Sequence, residues 1–195
     1  MASSEVRLIL ASCSPRRREL LSSFGHPFEV IPAQGEEARP VGLTPGALVE
    51  SLSEAKAAEV AARVNDPEAV ILAADTVVEQ DGQILGKPGT PERAEEMLAA
   101  LSGGVHRVWS GVTVRRGETA LTQHECTAVY FRALTSEEIA AYVATGEPLD
   151  KAGAYGYQGL ASLFVERIEG DYFNVVGLPL CRLGQMLHAF GINLL

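Results

Sequence analysis

"HRVWSGVTVRRGETALTQHECTAVYFRAL" occupies residues 106–134. Apolar and polar residues alternate on both sides of Gly117, and a period of two is typical of half-buried β-strands. The stretch therefore predicts two long strands that run antiparallel and are joined by a turn at Gly117. A hairpin of this length is evidence against an all-parallel sheet.

Two shorter stretches, one on each side, predict further hairpins. Residues 68–85, "EAVILAADTVVEQDGQIL", hold two apolar runs separated by Asp81–Gly82, which predicts a strand, a tight turn and a short strand. Residues 160–176, "LASLFVERIEGDYFNVV", predict a hairpin that turns at Glu169–Asp171. Two more apolar runs predict short strands, at residues 6–12 and 28–33.

Helices are predicted between the strands because capping residues mark their starts. At three places Ser or Thr precedes Pro, and such a residue caps a helix whose first position tolerates proline. A fourth start has a capping box, with Glu three residues after Thr. Hairpins mixed with helices favour an α/β or α+β fold with a mixed sheet over a regular βαβ array. The predicted helices begin after Ser14, Thr44, Thr90 and Thr135, and a last helix begins at Pro179.

Length and composition narrow the function classes. The 195 residues are 47% hydrophobic, enough for a sizeable core, and include no low-complexity linker. We therefore expect a single domain over residues 1–195. Composition does not decide whether this domain forms two lobes around a cleft. The net charge of −9 and the pI near 5.0 argue against a nucleic-acid coat or a membrane-surface protein.

Cysteine usage and the N-terminus indicate the compartment. The three cysteines are far apart and include no C-x-x-C pair, which argues against a disulfide framework or a zinc site. This usage fits a reducing cytosol. We expect neither a signal peptide nor a membrane span, and hence a cytoplasmic location.

A basic cluster in "LILASCSPRRREL", residues 8–20, is unexpected in an acidic chain. Arginines in the first turn of a helix oppose its dipole, and this cost makes sense if an anion binds there. Ser12 and Ser14, with backbone amides, would then hold phosphate oxygens beside Arg16 and Arg17. The alternative is a solvated helix face, and physical reasoning alone gives the two interpretations equal weight.

A carboxylate stands inside an apolar run at Asp75, followed by Thr76. Burying an unpaired carboxylate is costly, so Asp75 is expected to pair, to bind a divalent cation or to act as a base. A structural Asp that caps a turn is the weaker alternative. The small residues Ala73 and Ala74 leave room beside it for a water or a cation.

Four further polar residues carry weaker signals. Lys56 lies among alanines on a predicted helix and Lys87 follows a strand, and each alone is more often a surface lysine. Glu37, in a Glu pair, is alone more often solvated than metal-bound. Gln158 lies in the glycine-rich "LDKAGAYGYQG", where its amide can match the edge of a base; the alternative is a plain surface loop.

Five stretches together resemble the Maf (septum formation inhibitor) family of nucleoside triphosphate pyrophosphatases: "LASCSPRRRELL", "AADTVV", "GKP", "LDKAGAYGYQG" and "GDYFNVVGLPL". The resemblance spans nearly the whole chain. It implies a fold akin to inosine triphosphate pyrophosphatases, with an elongated mixed sheet, flanking helices and two lobes around a deep cleft. It also implies hydrolysis of a nucleoside triphosphate to the monophosphate and pyrophosphate, with Mg²⁺ or Mn²⁺, and a role in removing non-standard nucleotides. "AYGYQG" resembles the dTTP/UTP-type branch.

The same resemblance implies a mechanism and roles. Water would attack in line, oriented or deprotonated by Asp75, while cations neutralise the leaving pyrophosphate. The expected partner is a nucleoside triphosphate, and neither stable nucleic-acid binding nor membrane association is expected. Whether the protein forms a homodimer is left undecided. The alternative function is a nucleotide-binding regulator of cell division with little turnover. The implied positions are the base and metal acids Asp75 and Glu37, the selectivity residues Arg16, Thr76 and Gln158, and the phosphate-binding lysines Lys56 and Lys87.

Overall fold

Seven strands form one mixed sheet in the computed structural model, which describes residues 6–35 and 40–195. The strands are β1 (Leu8–Leu10), β2 (Glu29–Val30), β3 (Val70–Gln80), β4 (Gln83–Leu85), β5 (Val105–Arg116), β6 (Thr119–Phe131) and β7 (Val165–Glu169). Their order is β2-β1-β3-β5-β6-β7, with β4 paired to β3. β1 is parallel to β2 and β3, whereas the pairs β3–β4 and β6–β7 are antiparallel. The predicted mixed sheet is confirmed.

The helices begin at the predicted caps. The caps Ser14, Thr44, Thr90 and Thr135 each accept a hydrogen bond from the backbone N–H three residues ahead, which satisfies a donor that the helix leaves unpaired. Within the described part of the chain, no helix is long and apolar enough to cross a membrane. The α-helices are α1 (Pro15–Ser22), α2 (Pro45–Val64), α3 (Pro91–Leu101), α4 (Ser136–Ala144), α5 (Tyr172–Val176) and α6 (Leu180–Ala189), and short 3₁₀ turns lie at Glu147–Asp150, Ala152–Ala154 and Leu160–Leu163.

The hairpin predicted over residues 160–176 is wrong in its second half. β7 forms, but the chain then turns into the short helix α5. The Asp171 carboxylate accepts a hydrogen bond from the Phe173 N–H at 2.8 Å, an arrangement that favours a turn over an extended strand. Asn174 is fully buried, and its Nδ2 donates to the Val108 carbonyl at 2.9 Å. A long-range contact of this kind has no counterpart in the local residue pattern.

The chain divides into two compact units, and each is assembled from separate segments. Unit 1 comprises the described residues up to 75, together with 110–125 and 177–195. It contains β1, β2, α1, α2 and α6. Ile9 of β1 and Val60 of α2 are both fully buried in one apolar cluster, so α2 is packed on this part of the sheet.

Unit 2 comprises residues 76–109 and 126–176. Its core is aromatic: the Phe131 ring lies 4.9 Å from that of Tyr155 and 6.1 Å from that of Phe164, in edge-on contacts. Edge-on pairs place a positive ring edge against a negative ring face and stabilise the core beyond simple burial. The expectation of a single domain stays a prediction.

Candidate active site

The parallel pairing of β1 with β3 brings two predicted site segments side by side. Leu10 lies opposite Leu72, and the Ala11 N–H donates to the Leu72 carbonyl at 2.7 Å. Because the two strands run in the same direction, the chain leaving β1 through Ser12 and the stretch of β3 that reaches Asp75 lie close together. Asp75 lies in the middle of β3, beside the carboxyl end of β1, and the carboxyl ends of strands in open α/β sheets are common ligand sites.

Lys56 and Asp75, which the sequence singles out separately, form an ion pair in unit 1. The Nζ atom of Lys56 lies 2.6 Å from Oδ1 of Asp75, and the two side chains are 18% and 9% exposed. Lys56 reaches the strand because its neighbour Ala57 is fully buried and lets α2 approach the sheet closely. Each charge offsets the cost of burying the other. The predicted base and a predicted phosphate-binding cation are therefore adjacent.

The two predicted serines order the loop between β1 and α1. Ser14 is the cap of α1, and its Oγ accepts from the Arg17 N–H at 3.5 Å. The Ser12 side chain is largely buried, and its Oγ accepts from the Ser14 N–H at 3.2 Å. A hydroxyl keeps one proton to donate while it accepts. Each serine hydroxyl can therefore still donate to an anion.

Arg17 contacts protein acceptors from three parts of unit 1. Its Nε donates to the Gly177 carbonyl at 2.8 Å, and its Nη1 donates to the Ala74 carbonyl at 2.9 Å and to Ser12 Oγ at 3.2 Å. Sequence reasoning placed Arg17 with the phosphate ligands and missed these contacts. No local pattern links residues 17 and 177, so no signal in the sequence could have revealed this role.

Arg16 differs from its neighbour. Its side chain is half-buried and forms no hydrogen bond or ion pair with residues 6–35 and 40–195. A cavity of about 380 Å³ adjoins this turn, and its lining includes Cys13, Ser14 and Arg18. Asp75 does not line this cavity, so we do not assign the predicted base to it.

The other predicted residues, Thr76, Lys87 and Gln158, belong to unit 2. Thr76 is half-buried in β3, whereas Lys87 and Gln158 are exposed on loops. Two backbone hydrogen bonds join the two loops. The Gly153 N–H donates to the Gly86 carbonyl at 3.1 Å, and the Gly89 N–H donates to the Leu149 carbonyl at 3.3 Å. Unit 2 therefore brings the loops of Lys87 and Gln158 together.

The loop that carries Gln158 is held through its backbone. The Leu160 N–H donates to Oε2 of Glu147 at 3.2 Å, and the Gly156 N–H donates to the Tyr142 hydroxyl at 3.3 Å. A Cβ atom on Gly159 would overlap the Glu147 carboxylate, so a larger residue there would displace this carboxylate from its hydrogen bonds to the loop. These contacts fix the path of the loop and leave the Gln158 side chain exposed.

A buried histidine also supports this loop, and sequence reasoning missed it. His106 is 1% exposed, and its Nε2 lies 2.7 Å from the Tyr155 hydroxyl. Burial lowers the pKa of His106 to about 4, so its ring is neutral near pH 7. Burial also raises the pKa of Tyr155. The alternating pattern of β5 places residue 106 on the inward face, and this position was the sequence signal that His106 is buried.

Comparison with known proteins decides the family. The family model for Maf-like proteins matches residues 7–190. This chain belongs to the Maf family. A dTTP/UTP pyrophosphatase of Moorella thermoacetica is 54% identical to this Maf protein over 190 residues, which cover 96% of each chain. A dTTP/UTP pyrophosphatase of Alkaliphilus metalliredigens is 49% identical over 192 residues, which cover 97% of this chain and 99% of the relative.

A solved structure supports the fold of this Maf protein. A HAM1 protein from Coxiella burnetii aligns with a TM-score of 0.52 over 94% of this chain and 99% of its own, at 16% identity. At that identity the likeness concerns the fold alone. The predicted family and fold class are confirmed.

The predicted metal site is only partly described. Glu37 lies outside the described residues. Within residues 6–35 and 40–195, no group of three or more His, Cys, Asp or Glu side chains could hold a metal ion. Asp75 is the predicted metal-binding acid that the structure describes in this Maf protein.

Proposed function

We propose that this Maf protein hydrolyses a nucleoside triphosphate to the monophosphate and pyrophosphate, and that dTTP and UTP are its preferred substrates. Family membership and the names of relatives about 50% identical support the activity. The observation that carries it is the buried pair of Asp75 and Lys56, 2.6 Å apart, beside the serine loop at the start of α1. A carboxylate and a cation in contact suit water activation next to an anionic substrate.

Asp75 is the proposed general base. Lys56 occupies Oδ1, so we assign the attacking water to Oδ2. The water oxygen forms a bond to the α-phosphorus. The bond between that phosphorus and the oxygen that bridges it to the β-phosphorus breaks. The proton of the water passes to Asp75 and then to solvent, and pyrophosphate leaves with the bridging oxygen.

Cations and amides of unit 1 are proposed to neutralise the charge that builds on the leaving pyrophosphate. The α1 N-terminus and the hydroxyls of Ser12 and Ser14 offer donors for phosphate oxygens. Arg16 supplies a guanidinium whose fork geometry matches two phosphate oxygens. Lys87 is the proposed additional phosphate cation from unit 2.

A divalent cation, Mg²⁺ or Mn²⁺, is also proposed. Magnesium is commonly held by one or two carboxylates with substrate phosphates and waters completing its shell, and Asp75 and Glu37 are the proposed carboxylates. When bound, the metal would neutralise phosphate charge.

Gln158 is the proposed reader of the base. Uracil and thymine present an N3–H donor between two carbonyl acceptors, which one side-chain amide can match with an acceptor and a donor. Cytosine presents the opposite pattern at N3 and N4. The backbone on either side of Gln158 is held by hydrogen bonds, and a base that covers the exposed amide would make mismatched polar groups costly.

A pyrophosphate-release assay with dTTP, UTP, CTP and 7-methyl-GTP tests this function. We expect comparable release from dTTP and UTP, less from CTP and least from 7-methyl-GTP. Chromatography should show the nucleoside monophosphate in equal amount. Absence of release from all four nucleotides, with Mg²⁺ or Mn²⁺ present, would refute the proposal.

A further inference from the structure

We propose that Arg17 is a positioning residue, which holds the backbone beside Asp75 in place, rather than a ligand of the substrate phosphates. The inference rests on the proposed function because it takes Asp75 as the group that acts on the water. It assigns different tasks to two consecutive arginines, Arg16 and Arg17.

Three acceptors of Arg17 lie in segments that are distant from one another in sequence. The Ala74 carbonyl, 2.9 Å from Nη1, is part of the peptide group that links residue 74 to Asp75. Ser12 Oγ lies in the loop after β1, and the Gly177 carbonyl lies before α6. The guanidinium therefore joins the peptide next to the proposed base to both neighbouring segments.

These three bonds engage the donors that a phosphate would need. Arginine has one N–H on Nε and two on Nη1, and the three acceptors match those three donors. A bidentate grip on a phosphate uses two of the three nitrogens. Any such pair includes Nε or Nη1, so Arg17 would have to give up a protein acceptor in order to bind a phosphate in this way.

Removing the guanidinium would leave buried carbonyls without their donor. Ala74 is fully buried and Gly177 is buried, and buried backbone carbonyls nearly always keep a hydrogen-bond partner. The backbone around residue 74 would shift to find one, and Asp75 would move with it. Ser12 would also lose a contact, which loosens the loop that caps α1.

Kinetics of Arg17→Ala with UTP test the assignment. We expect kcat to fall by about 100-fold, because a displacement of about 1 Å at reacting groups costs a factor of this size. We expect KM to stay within about threefold of the wild-type value, because an interaction with the bound phosphates is not removed. A KM raised by more than about tenfold with kcat preserved would identify a phosphate ligand and overturn the proposal.

Arg182→Ala is the matched control in the same unit. Arg182 donates two side-chain hydrogen bonds to Oε2 of Glu125, at 2.9 and 2.8 Å, and one to Oε1 of Gln123 at 2.9 Å. Its loss should lower thermal stability comparably and leave kcat unchanged. If the two variants have equal kcat at equal stability, Arg17 has a structural role only and the proposal fails.

Two further measurements separate position from charge. Millimolar guanidinium should restore part of kcat in Arg17→Ala, since the free ion can occupy the vacated place, and should have no effect on Arg182→Ala. Arg17→Lys keeps the charge but offers a single nitrogen that cannot reach three acceptors. We expect a low kcat in Arg17→Lys, and this variant also serves if Arg17→Ala does not fold. Near wild-type kcat in Arg17→Lys would contradict the proposal.

A binding measurement distinguishes failure of this proposal from failure of the proposed function. UTP affinity is compared by calorimetry between Asp75→Asn and the double variant Asp75→Asn/Arg17→Ala. Equal affinities support a positioning role, and a loss above about tenfold identifies a phosphate ligand. Pyrophosphate release by the wild type tests the proposed function separately.

Discussion

In unit 1 most of the predicted site side chains are bonded to other groups of the protein, whereas in unit 2 two of the three are exposed on loops. Lys56 holds Asp75, and Arg17 holds Ser12. In unit 2 the hydrogen bonds fix the backbone around Gln158 instead. The difference matches the proposed tasks. Groups that act on phosphates meet the same chemistry in every nucleotide, while a reader of bases needs a side chain that can contact the ligand.

The largest expected effect tests whether the interlocked side chains of unit 1 carry the chemistry. Asp75→Asn should lower kcat by about 10²–10⁴-fold, the usual contribution of a general base, while circular dichroism stays unchanged. Glu79→Gln is the control, because Glu79 is also a buried acid of β3 but accepts from the Gly82 N–H at 2.7 Å in the β3–β4 turn. Turnover by Asp75→Asn at the Glu79→Gln level would remove Asp75 from this role.

The second prediction tests how the loop of unit 2 is supported. His106 titrates at about 4 in the folded protein and near 6.5 when unfolded. The unfolded chain therefore binds the proton first as pH falls. Stability should be complete above pH 6.5 and decline by about 3 kcal/mol between pH 6.5 and 4.

Urea unfolding of wild type and His106→Gln at several pH values measures this dependence. The variant should lose most of the decline, and His188→Gln, at an exposed site on α6, should keep it. An equal decline in wild type and His106→Gln would show that other groups cause the acid sensitivity.

The third prediction tests whether the exposed amide in unit 2 reads the base. Buried polar mismatches cost about 1–3 kcal/mol each, so UTP and dTTP should exceed CTP in kcat/KM by at least about tenfold. Gln158→Glu should reduce cleavage of UTP and dTTP, because a carboxylate lacks the donor for the base carbonyl. If CTP is cleaved as well as UTP, or the ranking survives Gln158→Glu, another group reads the base.

The smallest expected effect concerns Arg16, whose side chain in unit 1 forms no hydrogen bond or ion pair with the described residues. Arg16→Ala should raise KM for the triphosphate and slow turnover. It should also stabilise the empty protein by roughly 0.3–1 kcal/mol at most, because a cation unfavourable to the α1 dipole is removed. Kinetics equal to those of the wild type would mean that Arg16 is a solvated residue.

Local patterns in the sequence predict the elements and several site residues of this protein. The Ser and Thr caps, the turn at Asp81–Gly82 and the hairpin around Gly117 depend on neighbouring residues, and the structure confirms them. Lys56 and Asp75 could be singled out from the sequence because a lysine among alanines and a carboxylate in an apolar run are both unusual. Their contact with each other, across 19 residues, could not be predicted.

The parts that could not be predicted depend on contacts between distant segments. Arg17 meets Gly177 only because the fold brings α1 beside the segment before α6. Asn174 fixes α5 through a carbonyl of β5, which overrides the extended pattern expected for residues 172–176. A single sequence carries no signal for such pairs.

The chain passes between the two units at four places, and three of them lie inside strands β3, β5 and β6. Neither unit can therefore be exchanged between related genes by one crossover. A recombinant that moves the proposed base-reading part must carry residues 76–109 and 126–176 as two inserts, with each junction in phase with the alternation of its strand. A shift by one residue at a junction inside a strand would turn the side chains in the rest of that strand to the opposite face. Directed evolution of base preference is better served by substitutions within the loops than by shuffling.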